Sequence, residues 1–341
     1  MTTAPPTTWT TRTLLEWISG KLTEREVDSP RRMAELLLAH VIGCDRLRLY
    51  METDRLATDD EKLVLRDLVK RAMSHEPIQY LVGKETFYSL EFKTDARALI
   101  PRPSSQTIID EAIRMLRPAI TQTEIRPEGH DPDFDSDDAP DPASETQTPS
   151  APLPASATPK RPEPEAGPPL LIADVCTGTG CLAITLAKNL PGARLIATDI
   201  SADALSLARE NAEAHSLTER VEFVEGDLLV PLKNAGPFDA IVSNPPYIPD
   251  SEWDAVEPNV KDHEPELALR AGPDALRLVS PLIEHGPGSL KPGGVLLIEL
   301  ASCSAADALK LARSQPMLEN ARILKDIDGL DRVLAATRIL N

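Results

Sequence analysis

The sequence predicts an α/β protein: a doubly wound, mostly parallel, seven-stranded sheet, with a small N-terminal helical bundle and a β-hairpin linking the two. Three observations predict it. After Pro169, short continuous apolar runs alternate with helical segments, the pattern of a parallel sheet covered on both faces. Before Pro77, apolar residues recur at helical spacing behind capping signals. Between Pro77 and Ile100, aromatic residues concentrate among alternating polar ones. A length of 341 residues fits two domains. The expected layout is a bundle over 1–76, a hairpin linker over 77–100 and a catalytic domain over 101–341.

The elements follow in chain order. Thr10 to Ile18 carries Leu14, Leu15, Trp17 and Ile18 and reads as a helix. Ser29-Pro30 has the form of a helix cap followed by a proline in the first turn, and Met33 to Ile42 continues as a mostly buried helix that Gly43 can stop. Thr58 and Glu61 form a capping box ahead of Leu63, Val64, Leu65, Leu68 and Val69. Phe87, Tyr88, Leu90 and Phe92 mark the hairpin, with a turn expected over Lys93 to Ala98. Ile100-Pro-Arg-Pro103 forces extended backbone, since each proline fixes its own φ and restrains its predecessor. A helix over Ser105 to Leu116 follows. Residues 119–169 are mostly Pro, Asp, Glu, Ser, Thr and Ala; ordering them would cost backbone entropy with little burial in return, so a disordered acidic insert is expected. The sheet strands are expected at 170–175, 194–198, 221–225, 238–243 and 295–300, closed by a hairpin near Arg322 and Arg332. Intervening helices are expected at 182–190, 202–215 (capped by Ser201), 276–290 and 305–312.

Composition narrows the function. Hydrophobic residues make up 41% and charged residues 26% of the chain, which excludes a collagen-like or wholly disordered protein. No apolar run approaches the roughly 18 residues of a membrane helix, and Met1 to Gly20 lacks the basic start and apolar run of a secretory signal. Four cysteines without Cys-x-x-Cys spacing and six scattered histidines give neither a disulfide framework nor a metal site, so a metal-free cytoplasmic protein is expected. The net charge of −18 divides into zero over 1–118, −8 over 119–169 and −10 over 170–341. A protein that grips a nucleic-acid backbone needs clustered positive charge, so the acidic C-terminal half disfavours a nucleic-acid substrate.

The residues that carry chemistry lie at the ends of the expected strands. Asp174-Val-Cys-Thr-Gly-Thr-Gly180 joins the first sheet strand to its helix, and its small residues let a ligand approach the backbone where open α/β sheets bind ligands. The spacing is not the Gly-x-Gly-x-x-Gly of dinucleotide binders; it is similar to that of S-adenosyl-L-methionine methyltransferases. Asp199, ending the second strand, can accept hydrogen bonds from ribose hydroxyls. Asp227 and Leu228, after the third, can flank an adenine. Asn244-Pro-Pro-Tyr247 follows the fourth. Its prolines lock the backbone, so the Asn244 side chain and the Pro245 carbonyl offer two fixed acceptors to the two hydrogens of a planar NH2 group, with the Tyr247 ring beside them.

These residues, with Glu76-Pro-Ile-Gln-Tyr-Leu-Val-Gly83, Phe87, Ile100-Pro-Arg-Pro103, His263-Glu-Pro-Glu-Leu-Ala-Leu269 and Asp328-Gly-Leu-Asp-Arg-Val333, resemble the peptide chain release factor N5-glutamine methyltransferases, the PrmC/HemK family, over nearly the whole chain outside the insert. The resemblance implies S-adenosyl-L-methionine as cofactor, bound by Asp174, Cys176, Thr177, Gly178, Thr179, Gly180, Asp199, Asp227, Leu228 and Asn244. It implies that Asn244, Pro245, Pro246, Tyr247 and Arg102 hold the glutamine of the Gly-Gly-Gln motif of class 1 release factors, and that the bundle contacts the release factor. A monomer without membrane association is expected. The chain departs from the family in three places: Ser104, Ser105 and Gln106 stand where acidic residues are frequent, Cys176 replaces a glycine, and Leu300-Ala-Ser-Cys303 lacks the usual Gly and Gln. The alternative readings are glutamine methylation of a ribosomal protein, N-methylation of an exocyclic amino group of adenine or cytosine, and a non-catalytic binder of S-adenosyl-L-methionine.

Overall fold

The computed structural model describes residues 8–117 and 169–340. The insert expected over 119–169 lies outside the described residues except for Pro169. Five helices open the chain: α1 (Thr11–Thr23), α2 (Pro30–Ile42), α3 (Arg46–Met51), α4 (Asp59–Ala72) and α5 (Ile78–Val82). Leu14, Ile18, Leu22, Leu37, Leu38 and Leu68 form their shared core. The capping box of α4 is complete: Thr58 Oγ1 accepts from Glu61 N–H at 3.2 Å, and Glu61 Oε2 accepts from Thr58 N–H at 2.8 Å. Gly43 ends α2 at φ +73°. Ser29 does not cap that helix. It adopts φ +47°, ψ +50° and makes no capping hydrogen bond, so Pro30 alone fulfils its expected role.

The hairpin pairs β1 (Lys84–Phe87) with β2 (Leu90–Lys93). The turn that joins its strands is Tyr88-Ser89, and both residues take left-handed φ, +49° and +64°. Such two-residue turns usually carry Asn-Gly, so Tyr-Ser gave no turn signal. The turn expected over Lys93 to Ala98 is also present, after β2, where Ala98 N–H donates to Asp95 O at 3.3 Å. Phe87 and Phe92 meet edge to face at 6.2 Å and are fully buried in the core beneath the main sheet.

The main sheet contains β3 (Leu171–Val175), β4 (Arg194–Asp199), β5 (Val221–Glu225), β6 (Phe238–Ser243), β9 (Leu290–Glu299), β10 (Leu318–Lys325) and β11 (Asp331–Arg338), in the order β10-β11-β9-β6-β3-β4-β5. The five strands from β9 to β5 are parallel, and β11 and β10 close the other edge antiparallel. A second pairing, β7 (Ile248–Pro249) with β8 (Arg270–Gly272), lies outside it. One face carries a core built around Ile172, Leu195 and Leu297 with α6 (Gln106–Leu116) and α7 (Cys181–Asn189). The other carries Ile241, Leu296 and Ile298 with α11 (Val279–Ser289) and α12 (Ala305–Ser314). Helix α8 (Ala202–Ala214) follows β4, with Ser201 Oγ capping Ala204 N–H at 3.1 Å as expected. Short helices α9 (Pro258–Lys261) and α10 (Glu266–Leu269) precede β8. The helix expected from Leu276 starts at Val279, because Asp274 Oδ1 takes the Leu276 N–H into a turn at 2.9 Å. Strand order reverses between β3 and β6, and the crevice at their carboxyl ends is where open α/β sheets bind ligands. Among the described residues no helix is long and apolar enough to cross a membrane.

Candidate active site at the carboxyl ends of four strands

A cavity of about 250 Å³ opens over the ends of β3, β4, β5 and β6. The strand ends are tied to one another. Thr177 N–H donates to Thr198 O at 2.9 Å, Gly226 N–H to Asp199 O at 2.9 Å, and the Ser243 hydroxyl to Val175 O at 2.7 Å. The loop after β3 supplies Cys176, Thr177, Gly178 and Thr179 to the wall. Gly178 has φ +56° and no atom within 4 Å of where a Cβ would stand, so its backbone faces open space. Gly178 N–H donates to Asp199 Oδ2 at 2.9 Å and Ser201 N–H to Asp199 Oδ1 at 3.0 Å. Burial raises the Asp199 carboxyl above its ordinary value, opposed by these N–H donors. Ile200, Asp227 and Leu228 complete this side.

Asn244, half-buried at the end of β6, and Pro246 form the opposite side. Asn244 Nδ2 donates to Ser105 Oγ at 3.1 Å, which leaves Oδ1 as its free acceptor. The Ile100–Ser105 segment supplies the rim. There the buried Glu264 accepts from Ile100 N–H at 3.1 Å and from the Arg102 guanidinium, fastening Ile100-Pro-Arg-Pro103 to the segment after α9.

These features fit S-adenosyl-L-methionine. The open backbone at Gly178 admits close approach. Carboxylates at Asp199 and Asp227 stand beside apolar Ile200 and Leu228, as a ribose and an adenine require.

The chain is also similar to known proteins. Residues 13–83 match the PrmC N-terminal domain family, and residues 168–261 match the methyltransferase small domain family. Release factor glutamine methyltransferase from Chlorobaculum tepidum is 36% identical over 330 residues, 96% of this chain and 97% of that protein. Those from Deinococcus radiodurans and Rhodopirellula baltica are 34% and 32% identical, covering 96% and 98% of this chain and 98% of each relative. The chain belongs to the release factor glutamine methyltransferase family. It is an enzyme that uses S-adenosyl-L-methionine for methyl transfer.

In this methyltransferase the cavity brings together Cys176, Thr177, Gly178, Thr179, Asp199, Asp227, Leu228, Asn244, Pro246 and Arg102 of the residues expected from sequence. Asp174, Gly180, Pro245 and Tyr247 are not in its wall. Asp174 is fully buried, with Oδ2 accepting from the Thr177 hydroxyl at 2.6 Å and from Ala183 N–H at 3.1 Å, so it braces the loop from behind; burial pushes its pKa up to about 7. Gly180 starts α7 at φ +80°, where a Cβ would stand 3.1 Å from Ile184 Cδ1 and 3.2 Å from Ala208 Cβ. Pro245 is buried, and half-buried Tyr247 has its pKa pushed up to about 12 by burial and by the charge of Glu299. Arg102 reaches the cavity with its charge already paired to Glu264. Cys176 takes φ +61°, the left-handed conformation that glycine adopts without strain.

Three further residues escaped the sequence reading. Asn211 on α8 accepts from Lys93 N–H at 2.7 Å and donates to Thr179 O at 3.0 Å, joining the hairpin to the loop after β3. Glu264 lay unremarked within a family motif. Glu299 accepts from both Ser104 and Ser105. All three are polar residues whose partners are remote in sequence, and no local pattern signals such a bond.

Proposed function

We propose that this enzyme transfers the methyl group of S-adenosyl-L-methionine to the side-chain amide nitrogen of the Gly-Gly-Gln glutamine of class 1 release factors. The observation that carries this reading is Asn244, whose Nδ2 is committed to Ser105 and whose Oδ1 is left to accept beside the cavity. Family membership supports it, and the net charge of −10 over 170–341 disfavours a polyanionic substrate.

The loop from Cys176 to Thr179 and the residues Asp199, Asp227 and Leu228 would hold the cofactor, with Asp174 and Gly180 supporting the loop from behind. When bound, S-adenosyl-L-methionine supplies an electrophilic methyl carbon on a cationic sulfur. An amide nitrogen is a poor nucleophile, because its lone pair is delocalised into the carbonyl. Asn244 Oδ1 and the Pro245 carbonyl would accept its two N–H bonds, orient the lone pair and stabilise positive charge developing on nitrogen as the carbon–nitrogen bond forms and the carbon–sulfur bond breaks. The methylated nitrogen would then give one proton to solvent and become a neutral N-methyl amide. Pro246, Tyr247 and Arg102 would frame the same glutamine. Alignment of two reactants contributes roughly 7–11 kcal/mol to such steps. A glutamate in place of the glutamine could donate no hydrogens to these acceptors and would be rejected by a factor on the order of 10⁴.

The bundle over 1–76 would contact the release factor away from the reactive loop, with 77–100 joining it to the catalytic part over 101–341. A cytoplasmic monomer accords with this role. The test is incubation of the full chain with isotopically labelled S-adenosyl-L-methionine, both release factors and ribosomes, followed by peptide mass spectrometry. The expected result is one methyl group on the Gly-Gly-Gln glutamine. Label on a ribosomal protein or on RNA alone would overturn the assignment.

A further inference from the structure

We propose that Ser105 and Glu299 act as a positioning pair that holds the Asn244 amide in one of its two orientations, with Oδ1 toward the substrate. The inference rests on the reading that Asn244 receives a carboxamide NH2 group. Glu299 ends β9 and is fully buried. The Ser104 hydroxyl donates to its Oε1 at 2.9 Å and the Ser105 hydroxyl to its Oε2 at 2.6 Å. A carboxylate has no hydrogen to give, so each serine hydrogen is committed to it. Ser105 Oγ then has only lone pairs to offer Asn244, and it takes the Nδ2–H at 3.1 Å.

The direction of this chain of bonds matters because the two ends of an asparagine amide have nearly the same shape. Rotation by half a turn exchanges oxygen for nitrogen. The reversed amide would aim NH2 at the NH2 of a glutamine, donor against donor, and the acceptor on which the reaction depends would be lost. A serine free to turn its hydroxyl could satisfy either orientation; a serine held by a buried carboxylate satisfies one. Burial and the neighbouring charge of Asp326 push the Glu299 carboxyl above its ordinary range, opposed by the two serine hydroxyls and by Arg332. Ser104 and Ser105 thus supply the hydroxyl donors that make the buried carboxylate usable.

The test is steady-state methylation of a release factor by the full-length wild type and by Ser105→Ala, Ser105→Thr and Glu299→Gln. Ser105→Ala is expected to lower kcat about 10-fold or more, with the KM for S-adenosyl-L-methionine changed by no more than about twofold. Ser105→Thr retains the hydroxyl and is expected to restore kcat. Glu299→Gln exchanges one acceptor for a donor and is expected to lower kcat as well. Wild-type kcat in Ser105→Ala or Glu299→Gln, or a Ser105→Thr enzyme as slow as Ser105→Ala, overturns the pair. If the wild type binds the cofactor but methylates no glutamine, the proposed function fails. The Asn244 side-chain ¹⁵N resonance then decides the pair: a shift in Ser105→Ala supports it and an unchanged resonance overturns it.

Discussion

The backbone N–H of Gly178 donates to Oδ2 of Asp199 across 2.9 Å, joining the loop after β3 to the end of β4. The same carboxylate accepts from Ser201 N–H through its other oxygen. Asp199 therefore ties the loop after β3 to Ser201, the residue that caps α8, and shapes the cavity at once. Asp199→Ala releases Gly178 and removes the carboxylate proposed to hold a ribose. Calorimetry should find S-adenosyl-L-methionine binding weakened roughly 100-fold, from two lost charge-assisted hydrogen bonds; unchanged affinity would remove Asp199 from the cofactor site.

Gly178 and Gly180 separate binding from stability. Both have positive φ, so alanine at either costs about 1 kcal/mol of backbone strain. At Gly180 the added methyl also presses on Ile184 and Ala208, whereas at Gly178 it projects into open space. Gly180→Ala should lower the melting temperature several degrees more than Gly178→Ala does, and Gly178→Ala should weaken cofactor binding more. Equal effects of the two substitutions in both measurements would contradict the assignment of cradle and support.

The rim of the cavity depends on one buried carboxylate. Glu264 accepts from Ile100 N–H and from Arg102. In Glu264→Ala the buried N–H loses its partner, at about 1–3 kcal/mol, and the guanidinium is left unpaired. Thermal unfolding should show a drop of several degrees, which Glu264→Gln recovers in part because it keeps one acceptor.

The sheet was legible in the sequence because parallel strands buried on both faces read as continuous apolar runs, as at Leu170 to Val175 and Val295 to Leu300. The strand-end residues were legible for a related reason: strand ends set where ligands bind, so Gly178, Asp199, Leu228 and Asn244 could be placed from strand order alone. The hairpin turn at Tyr88-Ser89 was not, since neither residue type signals the left-handed φ that both adopt there. Nor was the partnership of Ser105 with Glu299, residues 194 positions apart that only the closed sheet brings together. The two serines depart from the family pattern in sequence, and in the structure both donate to Glu299.

Burial raises the pKa of Asp174 to about 7, far above that of a carboxyl in an unfolded chain, near 3.9. The folded state therefore prefers the protonated form. Its stability contribution is present in full below about pH 4 and is lost as pH rises through about 7. Asp174→Asn removes this titration while keeping an acceptor for Thr177 and Ala183. Denaturant unfolding of the cofactor-free proteins should show the wild type losing stability relative to Asp174→Asn between about pH 4 and 7, with a constant difference above about pH 8. A difference independent of pH would show that Asp174 is ionised in the fold throughout that range.

Asn244→Ala tests the clamp itself. Alanine removes the Oδ1 acceptor but leaves the flanking strand and the prolines, and the loop from Cys176 to Thr179 makes no hydrogen bond to the Asn244 side chain. An acceptor that stabilises charge developing on the amide nitrogen acts in the transition state more than in cofactor binding, so its loss falls on kcat. The expected outcome is a methylation rate lower by roughly 10²-fold or more, with a smaller change in the affinity for S-adenosyl-L-methionine. Asn244→Asp sharpens the test. It retains an acceptor but cannot donate to Ser105, whose hydrogen is already committed to Glu299, and it places a second carboxylate near the first. Asn244→Asp should therefore be as slow as Asn244→Ala at neutral pH. Wild-type rates in Asn244→Ala would remove the amide acceptor from the reaction, whatever the cofactor affinity.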